Sequence, residues 1–247
     1  MLTRNQYQDR LSWLEGRKGH LTASELATAC EVAKWKTIDQ LYDEKTGLAT
    51  PKDISEEPQI VHGVEGEPIV RAEFQWLYPQ FKYDYHAFDI LFQENDPYIS
   101  ATLDGELTYI GDPKAVRSPT GYIGTLTEGM QIVHEIKCPT VLNKAMLSEW
   151  IGSIPKYYLA QVCGQFLATR WEAVILTSKV REIARSKGED DEWSDDVFVR
   201  IHTFNYAFFL RDPFMVAEIQ YAYRKAMAFK RSIESGVRPA TAIKSFE

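Results

Sequence analysis

The sequence predicts an α/β domain, a mixed β-sheet with helices on both sides, and three observations carry that expectation. Up to residue 77 the apolar residues recur mostly at helical spacing. Between residues 88 and 110 they shorten to the two-residue period of strands, in runs separated by turn residues. Beyond residue 130 a further strand is followed by helices, two more strands and a long closing helix.

Taken in order, residues 5–18 are polar with Leu11, Trp13 and Leu14 interspersed, as in an opening helix. Thr22 or Ser24 can cap a second helix beginning near Leu26, with Glu25 placed as in a capping box. Residues 37–46 add a helix that stops near Gly47, and 49–57 read as loop. Val64, Ile69, Val70, Phe74 and Leu77 define an amphipathic helix over 63–77, in which Pro68 is tolerated near the start but kinks the interior. Residues 88–92, 98–103 and 107–110 are short strands, and the Gly- and Pro-rich stretch 111–129 is an extended hairpin or loop bearing Lys114 and Arg117. Residues 130–138 form a buried strand ended by Pro139. Helices over 142–150 and 154–170 follow, then strands over 171–177 and 197–202 joined by a charged, partly helical connection, and a final helix over 213–233. No repeat or low-complexity segment interrupts this order, so residues 1–247 are expected to be a single domain with a possible inserted hairpin around 111–129.

Composition narrows the function classes. An apolar fraction of 45% with 26% charged residues fits a folded globular chain. No stretch is apolar enough for a membrane span and no signal-peptide core opens the chain, so no membrane association and a cytoplasmic location are expected. Cys30, Cys138 and Cys163 are too few and scattered for a disulfide scaffold or a zinc site. A net charge of −7 argues against a basic nucleic-acid coat but not against an enzyme acting on DNA, because a metal site needs its own carboxylates and the local field matters most.

The chemistry-bearing residues centre on Glu135-Ile136-Lys137-Cys138, with Asp104-Gly105 upstream. Strand alternation puts Glu135 and Lys137 on one face and turns His134 and Ile136 into packing on the other. Asp104 leaves a strand end and can turn toward the same place. Magnesium takes oxygen ligands, commonly one or two carboxylates plus water, and the Ile136 carbonyl can add another. Lys137 can then position the attacking water and balance the charge of a scissile phosphate. The same residues also suit a solvated strand edge and a plain hairpin turn. A third acid on the 63–77 helix can join them, and Glu65, Glu67 and Glu73 all compete for that place.

Five separated blocks in fixed order resemble the phage lambda-type exonuclease family, the YqaJ-like viral recombinases of the PD-(D/E)xK nuclease superfamily. They are residues 17–25 (RKGHLTASE), 62–67 (HGVEGE), 103–105 (LDG), 135–139 (EIKCP) and 158–165 (YLAQVCGQ), within roughly residues 13–170. The resemblance implies a PD-(D/E)xK restriction-endonuclease-like core and catalytic roles for Glu67, Asp104, Glu135 and Lys137. It implies Mg2+ (Mn2+ may substitute), two ions per site, held by Asp104, Glu135, the Ile136 carbonyl and Glu67. Arg17, Ser24 and Gln161 are implied as a pocket for a terminal 5′-phosphate, which suits a guanidinium fork completed by neutral donors. Gln165, one turn from Gln161, can face the same site. Two departures stand out: Leu103 replaces the usual proline before Asp104, and His62 stands where a tryptophan is frequent.

The implied activity is 5′→3′ exonucleolytic hydrolysis of linear double-stranded DNA, releasing mononucleotides and leaving 3′ single strands for recombination. A homotrimeric ring and a partner single-strand annealing protein in a bacterial host are implied with it, and residues 204–209 offer either an interface or a buried strand. The rival readings are a related PD-(D/E)xK nuclease of other polarity or endonucleolytic action, and an inactive DNA-end-binding protein. The intact Asp104, Glu135 and Lys137 argue against the second rival.

Overall fold

The computed structural model of the chain describes residues 1–187 and 193–239. It opens with β1 (Leu2–Gln6), so the expected first helix starts later, as α1 (Arg10–Arg17), where the Asp9 carboxylate accepts a hydrogen bond from Ser12 N at 2.8 Å. β2 (Leu21–Thr22) leads to the single turn α2 (Leu26–Ala29). The expected cap is not formed there: Glu25 is the flanking residue, and its carboxylate reaches back to accept from Thr22 N and Thr22 Oγ1, both at 2.9 Å. A complete capping box instead opens α3 (Ile38–Lys45), between Thr37 and Gln40.

α4 (Pro58–Leu77) begins five residues before Gly63, because Pro58 sits in the first turn, where a missing N–H costs nothing. The helix continues through Pro68. β3 (Phe81–Asp84) is a strand the pattern did not announce, while β4 (Asp89–Gln93), β5 (Asp96–Ala101) and β6 (Gly105–Tyr109) match the expected ones closely. β7 (Lys114–Arg117) and β8 (Ile123–Leu126) form the expected hairpin, pinned where Ser118 and Thr120 donate to the Asp212 carboxylate.

β9 (Gln131–Lys137), β10 (Thr140–Val141), α5 (Lys144–Ser148) and α6 (Lys156–Thr169) follow. β11 (Ala173–Lys187) and β12 (Trp193–Phe209) are far longer than expected, and α7 (Pro213–Ser235) closes the described chain. The two long strands pair antiparallel from Ala173–Phe209 out to Lys187–Trp193, which replaces the partly helical connection expected between them; alternating Val, Ile and charged residues satisfy a two-residue period there. The acidic run 189–192 lies outside the described residues. Residues 204–209 complete β12, with Ala207, Phe208 and Phe209 buried, which favours the strand reading of that segment.

The central sheet has the order β10-β11-β9-β6-β3, with β12 on the far edge of β11. It is mixed: β9 and β10 run parallel to β11, whereas β6 and β12 run antiparallel to their neighbours. A smaller sheet, β1-β4-β5-β2, lies alongside. The two are clamped by Arg4, which makes two 2.7 Å bonds to Glu106 of β6 and a 2.6 Å bond to Asp89. Alternation along β9 divides the core. Val133 packs with Val162 and Phe166 of α6, whereas Ile132 and Ile136 pack with Phe74 and Val70 of α4. Helices therefore cover both faces, and β9 runs between them carrying Glu135 toward α6 and His134 toward α4.

Candidate active site

β9 is buried through most of its length, so its polar residues need partners. His134 is fully buried on the α4 side, as alternation requires, with its ring 4.2 Å from that of Phe74 and hydrogen bonds to Tyr83 Oη at 2.8 Å and Thr177 Oγ1 at 3.0 Å. Burial keeps that imidazole neutral by pushing its pKa down to about 3. Ile136 is buried against Val70 and Cys138.

On the opposite face Glu135, only 1% exposed, is ringed by donors. Gln161 Nε2 donates to its Oε1 at 2.6 Å, Gln165 Nε2 donates to its Oε2, and the Lys137 ammonium pairs with Oε1. Asp104, at the mouth of β6, turns back to the end of β9 and accepts from Ile136 N at 2.8 Å. This bond brings the two separated motifs together. Burial alone would lower the pKa of Lys137, but the charges of Glu135 and Asp104 more than reverse that and hold the lysine as a cation. Burial raises both carboxyls: Asp104 is partly relieved by Lys137 and the Ile136 N–H, while the Asp104 charge pushes Glu135 further up.

Glu67 reaches the cluster from α4. The helix comes so close to the end of β9 that a Cβ on Gly66 would stand 2.6 Å from Cys138 Sγ, and glycine permits the approach. Of the three competing acids, Glu67 is the one in the field of the others: burial, then the Asp104 charge, pushes its carboxyl up to about 7. Glu73 is instead paired with Lys179, and Glu65 is exposed.

The pocket therefore has more acceptors than donors. Gln165 Oε1 is buried without a hydrogen-bond partner, and the three carboxyls have Lys137 as their common cation, with Arg71 acting on Glu67 and Asp104 as well. Among the described residues, no three His, Cys, Asp or Glu side chains form a ready metal cage. Magnesium needs only one or two protein carboxylates and keeps several waters, so the hard oxygens of Asp104, Glu135 and the Ile136 carbonyl, with Glu67 nearby, fit such an ion.

The charge imbalance has a measurable consequence. Because the folded Glu67 carboxyl titrates above its ordinary 4.5, its ionisation opposes folding: the penalty is absent below about pH 4.5, grows as pH rises, and is complete above about 7. In EDTA, Glu67→Gln should melt with the wild type at pH 4 and be more stable at pH 8 by on the order of 1–3 kcal/mol. Thermal melts at both pH values check this; no gain at pH 8 would remove Glu67 from the acid cluster.

Arg17 and Ser24 are also brought together. Arg17 Nη2 donates to Ser24 Oγ and Thr22 Oγ1, each at 3.3 Å, and the guanidinium lies 4.4 Å from the centre of the Trp13 ring. Gln161, expected beside them, has its amide on Glu135 instead. The two groups remain neighbours because α6 packs directly on this segment: a Cβ on Gly164 would lie 2.6 Å from Ala23 Cα. Lys45 fixes the segment from below, donating to His20 O at 2.5 Å and pairing with Glu25 at 2.9 Å.

Sequence reasoning missed Arg71 and Lys45, and placed Tyr158 in the 158–165 block without giving it a role. Arg71 Nε donates to the Asp104 carbonyl at 3.1 Å; its place four residues after Glu67 on the same helix was the available signal. Tyr158, one turn before Gln161 and Val162, stands under the Lys137 ammonium at 5.1 Å. Lys45 had no local signal, since its partners are distant in sequence.

A mixed sheet with acids and a lysine converging at the end of its central strand defines the fold class of the PD-(D/E)xK-type nucleases. A family model for the YqaJ-like viral recombinase domain matches residues 12–172, more than half of the chain, and the protein belongs to that family. Its fold is similar to that of an alkaline exonuclease (LHK-Exo) from Laribacter hongkongensis, at 20% sequence identity and a TM-score of 0.56, covering 92% of this chain and 94% of the other. The complex of LHK-Exo with dAMP matches equally well. No curated protein sequence matches the chain.

Proposed function

We propose that this protein is a divalent-metal-dependent 5′→3′ exonuclease of linear double-stranded DNA, releasing mononucleotides and leaving 3′ single strands for recombination by strand annealing. The observation that carries the reading is the bond from Ile136 N to Asp104, which assembles Asp104, Glu135 and Lys137 into one acceptor-rich pocket next to the Arg17–Ser24 pair. The whole chain is taken as one nuclease unit, with the β7–β8 hairpin packed on the core through Leu126 and presenting Lys114 and Arg117 on its exposed face. A homotrimer and a single-strand annealing partner in the bacterial cytoplasm belong to the same proposal. Among the described residues no helix is long and apolar enough to cross a membrane.

Asp104, Glu135, the Ile136 carbonyl and Glu67 would hold Mg2+, with Mn2+ as a substitute and two ions per site in the proposal. Bound there, the metal supplies Lewis-acid stabilisation of the phosphate oxygens. Lys137, held as a cation, orients the attacking water and balances charge on the phosphate; it is not a base at neutral pH. Gln161 and Gln165 orient Glu135, and Arg71 holds the Asp104 backbone. Burial pushes the Glu67 and Glu135 carboxyls alike up to about 7, so either can carry a proton near neutral pH. Arg17 and Ser24 would grip a terminal 5′-phosphate and set the cut one nucleotide from the end.

The test is digestion of linear duplexes with Mg2+, comparing 5′-phosphorylated ends, 5′-hydroxyl ends and closed circles. Preference for phosphorylated ends with mononucleotide release supports the reading; equal cutting of circles or 3′→5′ loss removes it. Arg17→Ala should abolish most of the phosphate advantage, by roughly 10-fold or more for a lost charge-assisted contact, while changing 5′-hydroxyl cleavage little. Uniform loss on both ends would make Arg17 a general DNA contact or a folding residue.

A further inference from the structure

Beside the acid pocket a row of aromatic rings leads outward from Lys137. The Lys137 ammonium lies 5.1 Å from the centre of the Tyr158 ring. Tyr158 meets Tyr157 at 4.5 Å, and Tyr157 meets Trp35 at 5.3 Å with the ring planes 84° apart. Trp35 stands on the loop between α2 and α3 and is 58% exposed. Lys34 lies 5.4 Å from the Tyr157 ring and is paired with Glu149 at 2.8 Å. Next to them is an open recess of about 620 Å³ lined by Lys34, Trp35, Lys36, Thr37, Gln40 and Glu31, the last paired with Lys225 at 2.7 Å.

Trp76 is more exposed still, at 81%, so exposure alone does not mark Trp35 out; what sets Trp35 apart is its place beside the ring row and the Lys34 ammonium. The edge contact with Tyr157 fixes one part of the ring and leaves the rest open. A nucleobase matches what remains, because every base presents a π-face and stacks on tryptophan without regard to sequence. The neighbouring ammonium complements a phosphate, and its surface pairing with Glu149 is weak enough to exchange. Continuity argues for the occupant: Tyr158 and Tyr157 join Trp35 to the Lys137 ammonium in one row of contacts, so the recess and the acid pocket border the same group of side chains.

We propose that Trp35, braced by Tyr157 and flanked by Lys34, is a base-stacking platform for unpaired nucleotides adjoining the scissile phosphate. Its location on the substrate path rests on the nuclease reading above; its capacity to stack bases does not. Parting the terminal base pairs frees bases to stack, and an open aromatic surface offsets part of that cost.

Fluorescence anisotropy of labelled single-stranded oligonucleotides, with the full chain in EDTA so that nothing is cleaved, tests the platform directly. Trp35→Ala should weaken binding of an ordinary oligonucleotide by roughly 5- to 100-fold, the range of one lost base–aromatic stack. Trp35→Phe should recover most of the loss. With an oligonucleotide carrying successive abasic sites, wild type and Trp35→Ala should bind alike. Equal losses on intact and abasic strands would mean that Trp35 only shapes its loop, and no loss on either would leave it to another partner, such as a protein; both overturn the proposal. Failure here leaves the Mg2+-dependent polarity assay untouched, whereas absence of cleavage with an intact Trp35 effect would remove the nuclease reading alone.

Discussion

Asp104→Asn is expected to abolish nuclease activity, lowering the single-turnover rate roughly 10³-fold or more, while the protein stays folded. The size follows from removing an anionic oxygen where the proposed divalent cation would stabilise charge, an effect of several kcal/mol, with each 1.36 kcal/mol worth tenfold in rate. Asparagine is the informative replacement because its amide oxygen can still accept from Ile136 N. Alanine would leave that amide without its partner at the end of β9, at about 1–3 kcal/mol, and would confuse chemistry with stability. Single-turnover digestion of a 5′-phosphorylated duplex, with a melting curve alongside, checks both halves. A variant that keeps more than a tenth of the activity would place the metal elsewhere. Lys137→Ala should also lose activity, and it would leave Glu135, 1% exposed, with amide donors alone.

The second large effect is structural. Gly164→Val should destabilise the fold by about 1–3 kcal/mol, or more if the helix cannot shift, because the new side chain meets Ala23 Cα at 2.6 Å and a backbone atom does not move aside as a side-chain tip does. In whatever fraction folds, α6 must retreat from the residues 22–24 segment. The variant should therefore lose discrimination between 5′-phosphate and 5′-hydroxyl ends more than it loses cutting of either. Chemical denaturation gives the stability and the end-comparison assay gives the discrimination. Unchanged denaturation would show that α6 and this segment are not in the contact described.

Much of this was legible in advance because it is local. The end of β9 announces itself through alternation, with Ile136 and His134 packed on one face and Glu135 and Lys137 on the other. The β7–β8 hairpin was signalled by its glycines and prolines. What failed was also local reasoning, applied where partners are remote. Strand β3 carries too little periodicity over Phe81–Asp84 and exists because it pairs with β6. The long β11–β12 pair looked partly helical because charge obscured its two-residue period, and cross-strand pairing overrode the local preference. Thr22 looked like a helix cap, yet its hydroxyl and amide serve Glu25, which Lys45 also holds.

By itself the sequence determined the α/β class, the strand that carries Glu135 and Lys137, and the five ordered blocks that link the chain to its family, because these depend on spacing along one stretch of backbone. The resemblance already names Glu67 as the acid that joins them, and only the tertiary structure shows how it can. Composition leaves Glu65, Glu67 and Glu73 in competition, and the close approach permitted by Gly66 puts Glu67 in the field of Asp104 while Lys179 takes Glu73. The tertiary structure likewise decided that Gln161 and Gln165 both address Glu135, and that Trp35 stands at the end of a row of rings leading from Lys137. Electrostatic fields and ring contacts depend on distance through space, and spacing in sequence carries no record of that distance once the chain has turned back on itself.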